Sequence, residues 1–191
     1  MANFDIAYKR TEIYEGGYSN RSTDNGGETY RGISRVNWPQ WTGWKIVDSL
    51  KTTANFPKSL DNTPALQDLV RQFYLANFWN KIQGDNIPLQ DIANEVYDCA
   101  VNSGISRAIT FLQTGLNVLN KNQTLYTDIV VDGSCGPGTL KILNAFLAVD
   151  KTDVLHKTIL ILRGNFYVQI AIHDPRQEEY VRGWLHRVVF T

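Results

Sequence analysis

The sequence predicts a mostly α-helical α+β fold: a small N-terminal lobe carrying one short β-hairpin, plus a helical body. Three observations carry this. Apolar residues recur at helical spacing through most of the chain. A polar, glycine-rich stretch over residues 18–34 interrupts them early, around Asp24-Asn25-Gly26-Gly27, which is a strong hairpin-turn signal. The composition, 43% hydrophobic and 20% charged over 191 residues, can fill a core and lacks the low hydrophobicity of disordered chains. At roughly 150 residues per domain, the length predicts one integrated domain over 1–191.

In chain order, Phe4, Tyr8, Thr11 and Glu15 share one stripe of a helix capped by Asn3. Gly16-Gly17 follows the last periodic residue, so Glu15 is expected in the final turn. Residues 29–33 read as a short strand. A Trp-rich segment (Trp38, Pro39, Trp41, Trp44) and a loop over 55–62 precede Thr63-Pro64, which opens a helix whose stripe is Leu66, Leu69, Val70, Phe73 and Phe78. A helix over 88–103 places Ile92, Ala93, Val96 and Ala100 inward and stops at Gly104. Ala108, Leu112, Leu116 and Leu119 mark the next, Gly136-Pro137 starts another through Leu147, and two more cover 152–172 and 176–189. The chain shows no repeat, low-complexity tract or linker.

Nineteen basic residues balance nineteen acidic ones, so no net positive field is available to hold a phosphate backbone, and nucleic acid is not an expected partner. The longest apolar run, residues 158–162, is cut by Arg163, far short of the roughly 20 residues that span a bilayer, so no membrane insertion is expected. The opening MANFDIAYKR lacks the features of a Sec signal peptide, which predicts synthesis in the cytoplasm and some other route of export. Cys99 and Cys135 fit neither a disulfide framework nor a four-ligand zinc site and are expected as free thiols, with a Cys99–Cys135 bridge as the alternative. His156, His173 and His186 are scattered without a ligand pattern, no nucleophile elbow or P-loop occurs, and neither metal nor cofactor is expected. High aromatic content with a single Met suits sugar or base stacking.

Glycosidic cleavage needs two acids in one cleft: one protonates the leaving oxygen, and the other steadies the oxocarbenium-like centre or activates water. Glu15 and Asp24 stand nine positions apart (24 − 15), and a hairpin folded over the helix end can set them across a groove. The negative end of the helix dipole disfavours an ionised Glu15 by roughly 0.3–1 kcal/mol, less than the ~1.36 kcal/mol of one pKa unit, so desolvation must supply most of any upward shift.

These residues carry a resemblance. The run Glu15-Gly16-Gly17-Tyr18-Ser19-Asn20, then Asp24-Asn25-Gly26-Gly27-Glu28-Thr29 and Gly32-Ile33-Ser34, resembles the EGGY-motif N-acetylmuramidases of glycoside hydrolase family 108, often labelled secretion activators. Downstream, Val101-Asn102-Ser103-Gly104, Leu112-Gln113, Asp132-Gly133 through Gly136-Pro137 to Thr139-Leu140, and Gly183-Trp184-Leu185-His186-Arg187 are similar to that family's peptidoglycan-binding half. The resemblance covers nearly the whole chain. It implies a lysozyme-like fold with a catalytic half over 1–90 and a peptidoglycan-binding helical half over 91–191. It also implies hydrolysis of the β-1,4 bond between N-acetylmuramic acid and N-acetylglucosamine, with Glu15 as the acid and peptidoglycan glycan strands as the partner. The enzyme would act on the wall, in the periplasm or outside, after holin-type or other export.

By analogy with phage-type lysozymes, which place an Asp nine residues after the catalytic Glu and a Thr soon after, Asp24 is the second carboxylate and Thr29 a substrate contact. Glu28 is the alternative second acid. Tyr18, beside the acid, is a sugar contact. Asn102 either hydrogen-bonds an N-acetyl group or caps its helix. Trp38, Trp41 and Trp44 fill the core or stack on pyranose faces, with the core reading ahead. The 132–139 loop reads as structural, within a wall-binding half. A protein that binds the wall or assists secretion without hydrolysis is the competing expectation.

Overall fold

The computed structural model describes residues 1–13, 16–20, 27–150 and 152–189. It is the mostly helical, lysozyme-like α+β fold expected, with a small antiparallel sheet. Glu15 and Asp24 lie outside the described residues. The chain divides into two compact units, residues 8–77 and residues 1–7 with 78–191, and the division falls within the first helix.

That helix, α1 (Phe4–Glu12), is capped as its sequence predicts: the Asn3 side-chain oxygen accepts from the Asp5 amide at 2.8 Å. Phe4, Ala7 and Thr11 form its buried stripe.

In the smaller unit, β1 (Tyr18–Ser19), β2 (Thr29–Tyr30) and β3 (Ile33–Ser34) form an antiparallel sheet in that order. The single strand expected over 29–33 is instead two strands joined at Arg31-Gly32, whose φ values of 45° and 76° are those of a tight mirror-image hairpin turn. Side-chain periodicity explains the difference. Residues three apart on one strand face opposite sides, whereas across a two-residue turn Tyr30 and Ile33 are direct partners on one face, and both are fully buried. Then come α2 (Gly43–Leu50), α3 (Lys58–Asp61) and α4 (Pro64–Tyr74), packed on one another. Thr63 takes the extended cap position before Pro64, but its hydroxyl donates back to the Ser59 carbonyl at 2.8 Å rather than capping the helix. Leu66, Val70 and Phe73 are buried as their spacing predicts, and a π turn over Leu75–Trp79 continues the helix.

The larger unit is built from α5 (Gln90–Ser103), α6 (Ile105–Val118), α7 (Pro137–Val149), α8 (Thr152–His173) and α9 (Glu178–Leu185). Gly104, at φ +91°, breaks the path between α5 and α6, which then pack on each other, and α8 packs on both. Ile92, Val96, Leu112, Leu116, Leu143, Phe146, Leu155 and Ile159 fill the core. The last helix is shorter than the expected 176–189: Asp174 accepts from the Arg176 amide to start a 3-10 turn over Pro175–Gln177, and α9 ends at Leu185.

A charged layer crosses this core. Arg163 of α8, fully buried, bonds Glu95 of α5 at 2.6 Å and Asp98 through its second terminal nitrogen, while Asp98 also takes Arg187 at 3.1 Å. Burial would push Glu95 up, but His156 and the Arg163 charge outweigh it and hold its carboxyl below the usual range. Cys99 and Cys135 are both free and buried, with their thiols pushed up by burial to about 12 and about 11. Among the described residues no helix is long and apolar enough to cross a membrane.

Candidate functional site

Within the 8–77 unit the sheet brings three of the predicted residues together. Tyr18 on β1 pairs with Tyr30, and Thr29 on β2 lies between Ser19 and Ser34, half-buried. Glu28 immediately precedes β2. Its Oε1 accepts from the Tyr18 hydroxyl at 2.9 Å and takes Lys51 Nζ at 2.8 Å, and its Oε2 takes Arg35 Nε at 2.7 Å. Asp48 completes the set, pairing with Arg35 at 2.7 Å and with Lys51 at 2.8 Å.

This arrangement decides what Glu28 can do. Its side chain is 11% exposed, and desolvation would raise its pKa, yet hydrogen bonds from Lys51 and Tyr18 and the Arg35 charge outweigh that and hold it below the usual carboxylate range. A carboxylate with both oxygens engaged and lowered basicity is a poor proton donor and a poor base. Glu28 is the anchor that ties the sheet to the Arg35 turn and the end of α2. Arg35, Asp48 and Lys51 had no local signature, because they meet Glu28 only through the fold.

Tyr18 is thereby oriented: its hydroxyl is fixed by Glu28, and its ring meets Phe56 edge-on at 4.7 Å. Burial first, then the Glu28 hydrogen bond, raise its pKa, so the phenol stays protonated. Beneath the sheet, Tyr30 donates to Asp61 at 3.2 Å and accepts from Gln67 at 2.8 Å. Arg31 pairs with Asp61 at 3.3 Å and Glu12 at 3.9 Å.

The three tryptophans part company. Trp44 is core, 3% exposed, with its indole N–H on the Trp38 carbonyl at 2.8 Å and the Arg35 guanidinium 4.3 Å from its ring centroid. Trp38 is exposed and Trp41 half-buried, and both line an open depression with Phe73. The core expectation therefore holds for Trp44 alone.

In the larger unit, Asn102 sits at the end of α5 with its side-chain oxygen accepting from Tyr167 at 2.5 Å and Ser103 at 3.2 Å. The 132–139 loop is knitted by Gln113, which donates to Asp132 at 2.8 Å, the Ser134 carbonyl at 3.1 Å and Thr139 at 3.1 Å, and accepts from the Gly133 amide at 2.9 Å. Those bonds explain the Leu112-Gln113 and Asp132-to-Thr139 blocks as one structural knot. Among the described residues no group of three or more His, Cys, Asp or Glu side chains is placed as metal ligands.

The glycosyl hydrolase 108 model matches residues 8–104, about half of the chain and all of the 8–77 unit. The chain belongs to the glycosyl hydrolase 108 family. A second model, a predicted peptidoglycan domain, matches residues 107–189 of this family member. The boundary between the two falls at the Gly104 corner, between helices α5 and α6 that pack together. The two matches support a peptidoglycan-related function. The fold is similar to that of Brucella abortus SagA, with a TM-score of 0.62 at 23% identity over 97% of this chain and 88% of that one. Comparison with curated proteins found no match.

Proposed function

We propose that the chain is a peptidoglycan hydrolase, an N-acetylmuramidase that cleaves the β-1,4 bond between N-acetylmuramic acid and N-acetylglucosamine. The observation that carries this is the family match over 8–104, within which the Glu15-Gly16-Gly17-Tyr18 run lies. Glu15 gives its proton to the glycosidic oxygen as the C1–O bond breaks. Asp24 takes a proton from the water that attacks C1, leaving Asp24 protonated and the new reducing end hydroxylated. The engagement of Glu28 by Lys51, Arg35 and Tyr18 supports Asp24 over Glu28 in that role. Tyr18 and Thr29, on the paired strands β1 and β2, are substrate contacts, and Asn102 is a further one in the 91–191 half. Action is on the peptidoglycan of the cell wall.

A carboxylate separation of about 5 Å gives a covalent intermediate and retention, whereas roughly 6.5–9.5 Å leaves room for water and gives inversion. By the phage-type analogy the latter is expected. The deciding assay digests purified peptidoglycan, reduces the products with borohydride and identifies the sugar at the new reducing end. N-acetylmuramitol is the expected product. A protein that binds the wall without hydrolysis, the reading the 107–189 match also fits, releases no reducing ends.

A further inference from the structure

We propose that the depression framed by Trp38, Trp41 and Phe73 is a subsite that holds a pyranose ring of an N-acetylated glycan. This deepens the glycan-directed reading above and rests on it.

The depression, about 480 Å³, lies wholly within the 8–77 unit, and Asn37, Gln40, Thr42 and Asn77 complete its lining with Pro39. Among the described residues no charged side chain lines it. Its chemistry is therefore aromatic faces with amides and a hydroxyl at the rim, which suits a neutral ligand that offers C–H faces to rings and hydroxyl or N-acetyl groups to amides. Nucleic acid would need cations beside the rings, and none is there.

The polar groups are available. Trp44 and Trp79 both place their indole N–H on an acceptor, whereas those of Trp38 and Trp41 have none among the described residues. The side-chain amides of Asn37 and Gln40 are likewise unbonded among them, and Asn77 uses only its NH2, on the Phe73 carbonyl at 2.9 Å. The half-buried Trp41 therefore keeps its indole N–H open for an acceptor on a ligand.

The platform is also rigid before anything binds. Trp38 donates its amide to Ser34 at 2.8 Å, and its carbonyl accepts from the Trp41 amide at 3.1 Å and the Trp44 indole at 2.8 Å. The Trp41 ring lies against Gly43, where an added Cβ would come within 2.3 Å of the indole carbons. Trp38 and Trp41 each meet Phe73 at steep interplanar angles, with centroids 4.9 and 6.3 Å apart. Preorganised rings lose little entropy on binding.

The test measures binding of an N-acetylglucosamine tetramer by calorimetry in the Glu15→Gln protein, which needs no turnover, with circular dichroism as the check on folding. Trp38→Ala and, separately, Gln40→Ala are expected to weaken binding, Trp38→Ala by about 10-fold. Val118→Ser, an exposed apolar change in the other unit, leaves it unchanged. In the Glu15-intact protein, Trp38→Ala raises KM with little change in kcat. The inference is overturned if Glu15→Gln does not bind the tetramer, if both folded depression variants bind it as the parent does, or if only sugar-free stem peptides bind. Failure of the hydrolase proposal looks different: the Glu15-intact protein releases no reducing ends while the binding differences persist.

Discussion

At the scale of single residues, Glu28 is an acid with both oxygens engaged, by Lys51 and Tyr18 on one and Arg35 on the other. A hydrogen bond to a charged partner contributes about 1.5–3 kcal/mol, so Glu28→Gln should lower unfolding free energy by about 2 kcal/mol while the hydrolysis rate per folded molecule stays near wild type. Urea unfolding read beside reducing-end release checks both. The pH dependence has a fixed sign. The folded carboxyl titrates below its unfolded value of about 4.3, so its contribution is full above that value and is lost as pH falls through the lowered one. The gap between wild type and Glu28→Gln should therefore narrow in acid. None of this was legible locally, because Lys51 and Arg35 reach Glu28 from the end of α2 and from a turn. The thiols were legible from their spacing. Cys99 and Cys135 should resist a thiol reagent in the folded protein, being buried and protonated, and both should titrate once it is unfolded without reductant.

Among the elements, the joint between α5 and α8 is the most exposed to a single change. Removing one partner of a buried ion pair leaves uncompensated charge and costs about 3–5 kcal/mol, a large share of the roughly 5–15 kcal/mol that stabilises a domain. Arg163→Leu should thus strip much of the larger unit's stability, leaving Glu95 and Asp98 buried without it, and calorimetric unfolding measures the loss. Since Glu95 is held below its usual range, that stability is present above the unfolded value and declines as pH falls through the lowered one. Arg163 was visible in the sequence only as a break in an apolar run. Helices with clear stripes and stops, such as the one ended by Gly104, were legible because burial follows spacing. The Arg31-Gly32 turn was missed because Arg in a left-handed conformation is not a turn signature, and only the joint burial of Tyr30 and Ile33 accounts for it.

For the whole molecule, the balance of nineteen basic and nineteen acidic residues sets how it meets an anionic wall. Without a net field, binding rests on local contacts, so retention on purified peptidoglycan should change little between about 50 and 500 mM salt, unlike that of a strongly basic lysozyme. A sedimentation assay at the two salt concentrations reads this directly. The mostly helical class and the order of elements could be read from periodicity, whereas the proposed acid pair could be read only through the family's ordered motifs. On spacing alone, a Glu in a last helical turn and an Asp in a hairpin turn are ordinary surface residues. The account therefore stands on Glu15, and the most direct measurement compares the Glu15→Gln protein with wild type for reducing ends released from purified peptidoglycan at matched folded concentration. The amide keeps the side chain's shape and cannot deliver a proton, so the account predicts loss of hydrolysis with the melting temperature retained. Hydrolysis by Glu15→Gln at a rate near wild type would contradict it.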